Sequence, residues 1–340
     1  MDEKEYVCYS NKIVYLSFLM ALLIIVRHST GISVYQNLTC CLYYFELFME
    51  HLSDLIVPMF FAISGFLFYQ NYDSSKLISK WKTRFKSLVV PFFVWNLVGF
   101  LFAWLLLHIP SVSSVINRKI PDYNLLTWMS DVFIYTRYNV TWFIRNLIIY
   151  IVLTPLLFPV FRNLMGGSVL LLSVLLISRF YDYDSILCYS APYLLGAFMS
   201  VHYKNICQKR YGIRIRILSG ILLLFSIIIE TYMNSSQCGP MVPVRMLQIP
   251  LLWLAADFLA IDKNPIWWMK ISFFIYCCHS LILESVEKLF WIVFHDSYFG
   301  ALLDYFFAPL ITFSIILFFA SIFRKQRTIW YLLNGGRGGK

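Results

Sequence analysis

The sequence has little charge for its length. Only 14% of its 340 residues are Asp, Glu, Lys or Arg, whereas 60% are hydrophobic and 19% are aromatic. Soluble domains carry about 25% charged residues, and a surface with so few charges would aggregate in water. The composition therefore excludes an ordinary soluble enzyme and a disordered chain, and it favours a protein whose solvent is the lipid bilayer.

Several other patterns are also missing. The eight cysteines form no CxxC pair and show no metal-ligand spacing, so we expect no metal site. No internal repeat is evident, and the apolar segments lack the alternation that is typical of a membrane barrel. Because every backbone amide in hydrocarbon needs an internal partner, helices are the expected form of those segments.

Long apolar runs dominate what is present. A spanning helix needs about 20 residues, and ten runs are candidates: 13–33, 52–70, 88–108, 142–161, 167–180, 186–202, 213–233, 244–261, 271–293 and 301–323. The fifth run is short and would require local thinning of the bilayer. The segment 125–137 is too short and too interrupted to span, so we predict an interfacial or re-entrant helix there.

The fold class that follows is all-α. We predict a polytopic membrane protein with about ten transmembrane helices, formed by one transmembrane domain over residues 1–325. Residues 326–340 are predicted to be a cytoplasmic tail that is disordered at its glycine-rich end.

The basic residues indicate the orientation. If the first residue is cytoplasmic, 20 of the 28 Lys and Arg residues fall in inside segments. The positive-inside rule therefore predicts that both termini are cytoplasmic. The net charge of +10 is accounted for by these loops, so no nucleic-acid partner is expected.

Ionisable side chains inside the apolar runs need a reason, because each costs at least about 2.5 kcal/mol to insert. Counting about 1.5 Å per residue places His28 about 22 Å and His279 about 12 Å above the inner ends of their helices. Glu284 follows at about 20 Å, and Arg145 lies at a comparable outer level. These depths allow His28, Arg145 and Glu284 to meet in a cavity in the outer half of the bilayer, with His279 below them. An interfacial His28 and a structural His279 remain alternatives.

A basic segment follows the second run. It includes Lys82, Arg84 and Lys86. One interpretation is that these charges set the topology and attract anionic lipid. The other is that they bind a polyanionic donor such as coenzyme A, whose phosphates suit Lys and Arg.

Specific strings resemble the acyltransferase-3 family of integral membrane O-acyltransferases. The stretch from Val57 to Phe68, VPMFFAISGFLF, is similar to the signature of that family's second span. Four further strings agree in order: Arg27-His28-Ser29, Lys82 to Pro91 leading into Trp95-Asn96, Thr141 to Leu147, and Ile275 to His279. The resemblance covers residues from about 10 to 325.

The resemblance implies transfer of an acyl group, expected to be acetyl, from cytoplasmic acyl-CoA to a hydroxyl of a cell-surface or exported glycan. It implies that His28 is the essential first-span histidine and that Lys82, Arg84 and Lys86 contact the donor. It also implies a multi-pass protein of the bacterial inner membrane. The sequence departs from the family at Ser17, where many members are basic, and at Asp54, where some carry Arg.

The expected chemistry is general base catalysis. A neutral imidazole at His28 would remove the proton of the acceptor hydroxyl as that oxygen attacks the thioester. A carboxylate would orient the ring, and Glu50 is preferred over Glu46 and Asp54. Arg145 or Asn146 would stabilise the oxyanion, and His279 completes the predicted catalytic set. Ser64 is the candidate for a covalent relay, but Ser-Gly in a span more often allows close helix packing.

The alternative function is a multi-span transporter or flippase for a glycan or a lipid-linked precursor. In that case the buried His and Arg side chains would bind substrate and perform no chemistry. Transporters often contain two repeated halves, and the absence of such a repeat favours the enzyme. The acceptor, the acyl chain and the oligomeric state are not predicted from the sequence.

Overall fold

The computed structural model describes residues 3–29, 41–108, 138–178, 180, 186–234, 242–294 and 297–337. Regular structure within these ranges is helical, and they contain no strand. The α-helices are α1 (Glu3–His28), α2 (Cys41–Asp54), α3 (Ile56–Tyr69), α4 (Leu77–Arg84), α5 (Val90–His108), α6 (Trp142–Val152), α7 (Thr154–Phe161), α8 (Leu164–Ser178), α9 (Ile186–His202), α10 (Lys204–Gln208), α11 (Ile213–Asn234), α12 (Val242–Ala255), α13 (Ser272–Phe294), α14 (Tyr298–Phe323) and α15 (Arg327–Asn334).

Five helical stretches in the described residues are long and apolar enough to cross a membrane: Glu3–His28, Tyr43–Tyr69, Ser74–Phe102, Trp267–Phe294 and Tyr298–Phe323. The pair α6 and α7 would make a sixth, but it bends by 63°. Pro155 lies at the start of α7 and cannot donate the backbone hydrogen bond that would continue α6.

The prediction of an all-helical membrane protein is therefore confirmed. Helices also occupy the other predicted runs, but α8 and α9 have only 15 and 17 residues, short of the length that crosses a bilayer without tilt or thinning. Ten spans and two cytoplasmic termini stay predictions. The segment 125–137 lies outside the described residues.

The spans differ in how deeply they are buried in the protein. In the most apolar stretch of Tyr43–Tyr69, 67% is buried, whereas for α14 the figure is 22%. The span made by α2 and α3 is therefore central and α14 is peripheral. Large apolar side chains are exposed along α8, α11 and α14, as expected for a surface that faces lipid tails; they include Val169, Leu172, Leu176, Leu218, Ile221, Phe225, Leu310 and Phe318.

Two glycines allow α3 and α9 to pack backbone against backbone. A Cβ atom built on Gly65 would lie 2.2 Å from the carbonyl oxygen of Tyr193, and one on Gly196 would lie 1.9 Å from that of Ala62. Neither position could hold a side chain without moving the backbone. The Ser64-Gly65 pair thus has the packing role that the sequence offered beside a covalent relay.

Helix α1 is fixed at its first half by a buried ion pair. Nζ of Lys12 donates to Oδ1 of Asp257 at 2.6 Å, and both side chains are almost fully buried. The Lys12 ammonium also lies 3.7 Å from the ring centre of Trp253. Asp257 is an interhelical partner, and this contact sets the height of α1 against its neighbours.

The segment that was predicted to be the cytoplasmic tail begins with a packed helix. Helix α15 buries Trp330 and Leu333, and the indole Nε1 of Trp95 donates to the Leu333 carbonyl oxygen at 2.9 Å. The structure describes the chain through Arg337, so only residues 338–340 of the predicted tail lie outside the described part.

Candidate active site

His28 and His279 lie side by side on neighbouring helices. His28 is the last residue of α1, His279 is in the first half of α13, and their ring centres are 5.2 Å apart. The sequence predicted a height difference of about 10 Å. The difference disappears because Phe18 of α1 packs on Trp268, ring centres 5.0 Å apart, so α13 begins level with Phe18 instead of with the predicted start of α1.

The His279 ring is buried and oriented. Its Nδ1 lies 2.6 Å from the carbonyl oxygen of Tyr276, and because a carbonyl oxygen only accepts, Nδ1 carries the proton. Nε2 is then an acceptor in the neutral ring. Among the described residues this buried Nε2 has no hydrogen-bond partner, so it is available to a group in the site.

The His28 side chain is exposed beside this buried ring. Arg27 and Glu284 are both within electrostatic range of its imidazole. The Glu284 carboxylate accepts a hydrogen bond from the Ser280 hydroxyl at 2.9 Å. The structure therefore brings together three of the predicted groups, namely His28, His279 and Glu284.

Glu50, the predicted partner of His28, pairs with the neighbouring arginine. Its Oε1 lies 3.0 Å from Nη2 of Arg27, and Nε of Arg27 donates to Oδ1 of Asp54 at 3.1 Å. Asp54 also accepts from Nη2 of Arg245 at 3.3 Å. Asp54 thus joins two arginines.

Arg245 extends this arrangement into the protein. Its Nη2 lies 2.6 Å from Oε1 of Glu230, and both side chains are nearly inaccessible. Nη1 donates to the carbonyl oxygen of His51 and to Oε1 of Gln248. We call Arg27, Glu50, Asp54, Glu230 and Arg245 the ion-pair cluster. It ties α1, α2, α11 and α12 together next to His28, and the sequence analysis did not identify it.

Arg145 is held on α6. Its Nε and Nη2 approach Oδ1 of Asn146 at 3.4 Å, while the buried Nδ2 of Asn146 has no hydrogen-bond partner among the described residues. Helix α6 reaches α13 through Phe143, whose ring centre lies 5.4 Å from that of Tyr276. The side-chain amide of Asn146 therefore has a donor that is free to bind a group in the site.

The three predicted donor-binding residues differ in exposure. Lys82 and Lys86 are exposed, whereas Arg84 is half-buried and its guanidinium lies 5.9 Å from the centre of the Phe68 ring. Side chains two positions apart in a helix point to roughly opposite faces. Arg84 therefore points inward, whereas Lys82 and Lys86 face outward.

No group of three or more His, Cys, Asp and Glu side chains in the described ranges has the arrangement of a metal site. The candidate site brings together imidazole, carboxylate, guanidinium and hydroxyl groups. Such groups support proton transfer and binding of anions.

A family model described as an acyltransferase domain, that of the acyltransferase-3 family, matches residues 13–324. The chain belongs to that family. The protein is therefore a membrane acyltransferase that transfers groups other than aminoacyl groups. Comparison with curated proteins and with solved structures gives no match. The transporter alternative finds no support in these comparisons.

Proposed function

We propose that this acyltransferase moves an acetyl group from cytoplasmic acyl-CoA to a hydroxyl of a cell-surface or exported glycan. The observation that carries the proposal is an exposed His28 beside a buried His279 whose proton is fixed on Nδ1. An accessible imidazole next to an oriented one is suited to removing a proton from an incoming alcohol.

The reaction exchanges one acyl bond for another. The acceptor hydroxyl attacks the thioester carbonyl while the imidazole of His28 takes its proton. The carbon–sulfur bond then breaks, and the proton passes from the imidazolium to the departing thiolate. The products are an acetyl ester and free coenzyme A, and the imidazole returns to its neutral form.

His279 is proposed to position the base. Because its Nδ1 donates to Tyr276, its Nε2 lone pair faces the site and can accept a hydrogen bond from His28 or from the acceptor. That contact would select the tautomer of His28, as the orienting member of a catalytic triad does. Glu284, within electrostatic range of His28, would stabilise the imidazolium.

The oxyanion of the attacked carbonyl needs a hydrogen-bond donor. Arg145 and Asn146 remain the proposed donors, and the unused Nδ2 of Asn146 favours the second. Glu50 is proposed to act indirectly, since it holds Arg27 and so fixes the end of α1 that carries His28.

The proposed setting is a bacterial inner membrane with both termini in the cytoplasm and lipid around the apolar perimeter. Lys82, Arg84 and Lys86 would then face the compartment that supplies acyl-CoA. The His28 end of α1 would face the acceptor glycan.

Replacing His28 with alanine tests the proposal. We expect the release of free thiol from acetyl-CoA by the purified protein, with or without glycan acceptor, to fall about 10²- to 10⁴-fold, as it does when a general base is lost. His202→Gln is the matched control, because His202 is bonded to the Phe161 carbonyl oxygen at a distant helix end, and it should keep the wild-type rate. Undiminished thiol release by His28→Ala would contradict the proposal, and glycan transport by that variant would support the transporter.

A further inference from the structure

Two arginines meet on the side of the molecule opposite to the ion-pair cluster. Arg84 ends α4, Arg337 follows α15, and the two guanidiniums are within electrostatic range of each other. Neither forms an ion pair with a carboxylate among the described residues. Because two like charges in a half-buried place repel each other, this arrangement would be stabilised by a bound anion.

The segment after α15 is built to hold Arg337 in place. The side-chain amide of Asn334 donates to the Arg337 carbonyl oxygen, and Gly335 adopts a left-handed conformation with φ of 61°. A Cβ atom on Gly335 would lie 2.7 Å from the Ser87 carbonyl oxygen and 2.9 Å from Nη1 of Arg337. Only glycine fits at this turn, which brings Arg337 against the π-helical turn Phe85–Val89.

Several buried polar atoms in this part of the molecule have no partner. Nη1 of Arg337, the hydroxyl of Ser87 and the hydroxyl of Tyr193 are buried, and none has a hydrogen-bond partner in the part of the chain that the structure describes. Tyr193 is within electrostatic range of Arg84. Buried polar atoms are normally satisfied, so these donors indicate a missing acceptor. We call Arg84, Arg337, Ser87 and Tyr193 the arginine cluster.

The chemistry of the cluster matches a phosphate group. Guanidinium forks and hydroxyls are the donors that phosphate oxygens take. Burial and the nearby Arg84 lower the pKa of Arg337 to about 10, so the guanidinium still carries its charge at neutral pH. A carboxylate would offer fewer acceptor oxygens to this set of donors.

The arginine cluster contacts the helix that carries His279. The Arg337 guanidinium lies 4.0 Å from the ring centre of Phe273, and six residues of α13 separate Phe273 from His279, a rise of about 9 Å. Aromatic rings continue from the cluster toward the pair, with neighbouring centres 4.5 to 5.6 Å apart; in order they are Tyr193, Tyr150, Phe61, Phe143 and Tyr276.

We propose that Arg84 and Arg337 together bind a phosphate group of the acyl donor, so that the segment after α15 completes the donor site. The inference rests on the proposed function, because it takes the donor to be a coenzyme A thioester. Arg337 lies outside the family match, which ends at residue 324. The proposed role of Arg337 therefore does not follow from the family match.

Binding of coenzyme A to full-length Arg337→Gln, measured by calorimetry in nanodiscs, tests the inference. We expect at least about tenfold weaker binding, since a charge-assisted contact to phosphate is lost. Arg337→Lys should recover part of the affinity. The matched control is Arg327→Gln, which removes the same charge from an exposed position of α15 and should bind like the wild type. With S-acetylpantetheine, which has no phosphate, kcat/KM should be equal in the wild type and in Arg337→Gln.

The results that would overturn this inference differ from those that would overturn the proposed function. Equal coenzyme A affinities for the wild type and Arg337→Gln, in both phosphatidylcholine and phosphatidylglycerol nanodiscs, would overturn the inference; an Arg337-dependent affinity for phosphatidylglycerol alone would assign the cluster to a lipid headgroup and overturn it too. In either case acetyl-CoA turnover that depends on His28 would leave the proposed function standing. A wild-type protein that does not bind coenzyme A would overturn both.

Discussion

The molecule contains two groups of arginines that are partnered in opposite ways. In the ion-pair cluster, Arg27 and Arg245 each contact two carboxylates, at distances of 2.6 to 3.3 Å. In the arginine cluster, Arg84 and Arg337 face aromatic rings and each other. Arginines that pair with carboxylates of other helices hold those helices together. Arginines that have no carboxylate partner in the described part of the chain are the ones for which we propose an anionic ligand.

The largest expected effect is a difference between the two clusters in their contribution to the free energy of unfolding. Arg245→Leu would leave Glu230 buried without its partner, which costs about 3 to 5 kcal/mol. Arg337→Leu should cost less than about 1 kcal/mol in the absence of ligand, since it relieves repulsion with Arg84. Equilibrium unfolding in mixed micelles measures both. Equal losses would show that the two clusters have the same structural role.

The second effect is kinetic: a substitution in the ion-pair cluster should change kcat and leave the KM for acetyl-CoA unchanged. Arg27→Gln weakens the contacts that fix the end of α1, and a base displaced by about 1 Å can lose up to about 10²-fold in rate. We expect kcat to fall about tenfold or more with KM for acetyl-CoA unchanged. Steady-state thiol release is the measurement, and Lys325→Gln, an exposed charge elsewhere, is the control. A change in KM alone would place Arg27 in the donor site.

The ion-pair cluster could have been predicted in part from the sequence. Each charged residue in an apolar run needs a partner, and Glu230 and Arg245 lie in consecutive predicted runs, so their pairing could have been inferred. Glu50 was predicted to orient the His28 ring, whereas its carboxylate pairs with the adjacent Arg27. The choice between the ring and the guanidinium depends on side-chain direction, which spacing does not determine.

The arginine cluster could not have been predicted from the sequence. The apolar runs predicted where the helices lie, and the family strings identified His28 and His279. Arg337, however, lies in a glycine-rich stretch that predicts disorder, and its position depends on the turn at Gly335 and on the bond from Trp95 to Leu333. Contacts between residues more than 200 positions apart leave no periodic signal in one sequence.

The smallest expected effect concerns the exposed lysines. Lys82 and Lys86 face away from the arginine cluster, and exposed charges contribute about 0 to 1 kcal/mol. Lys82→Gln and Lys86→Gln should each weaken coenzyme A binding less than about threefold, and the difference should vanish at high salt because exposed charges are screened. A tenfold loss of coenzyme A affinity that persists at high salt would instead place the donor site on the solvent-exposed face of α4.

A structure of the protein with coenzyme A bound, determined by electron microscopy in nanodiscs, tests the central claim most directly. We predict a donor phosphate within hydrogen-bond distance of Arg84 and Arg337, with the thiol directed along the aromatic rings toward His28 and His279. A His28 ring that faces lipid, or a thiol that ends on another side of the molecule, would contradict it.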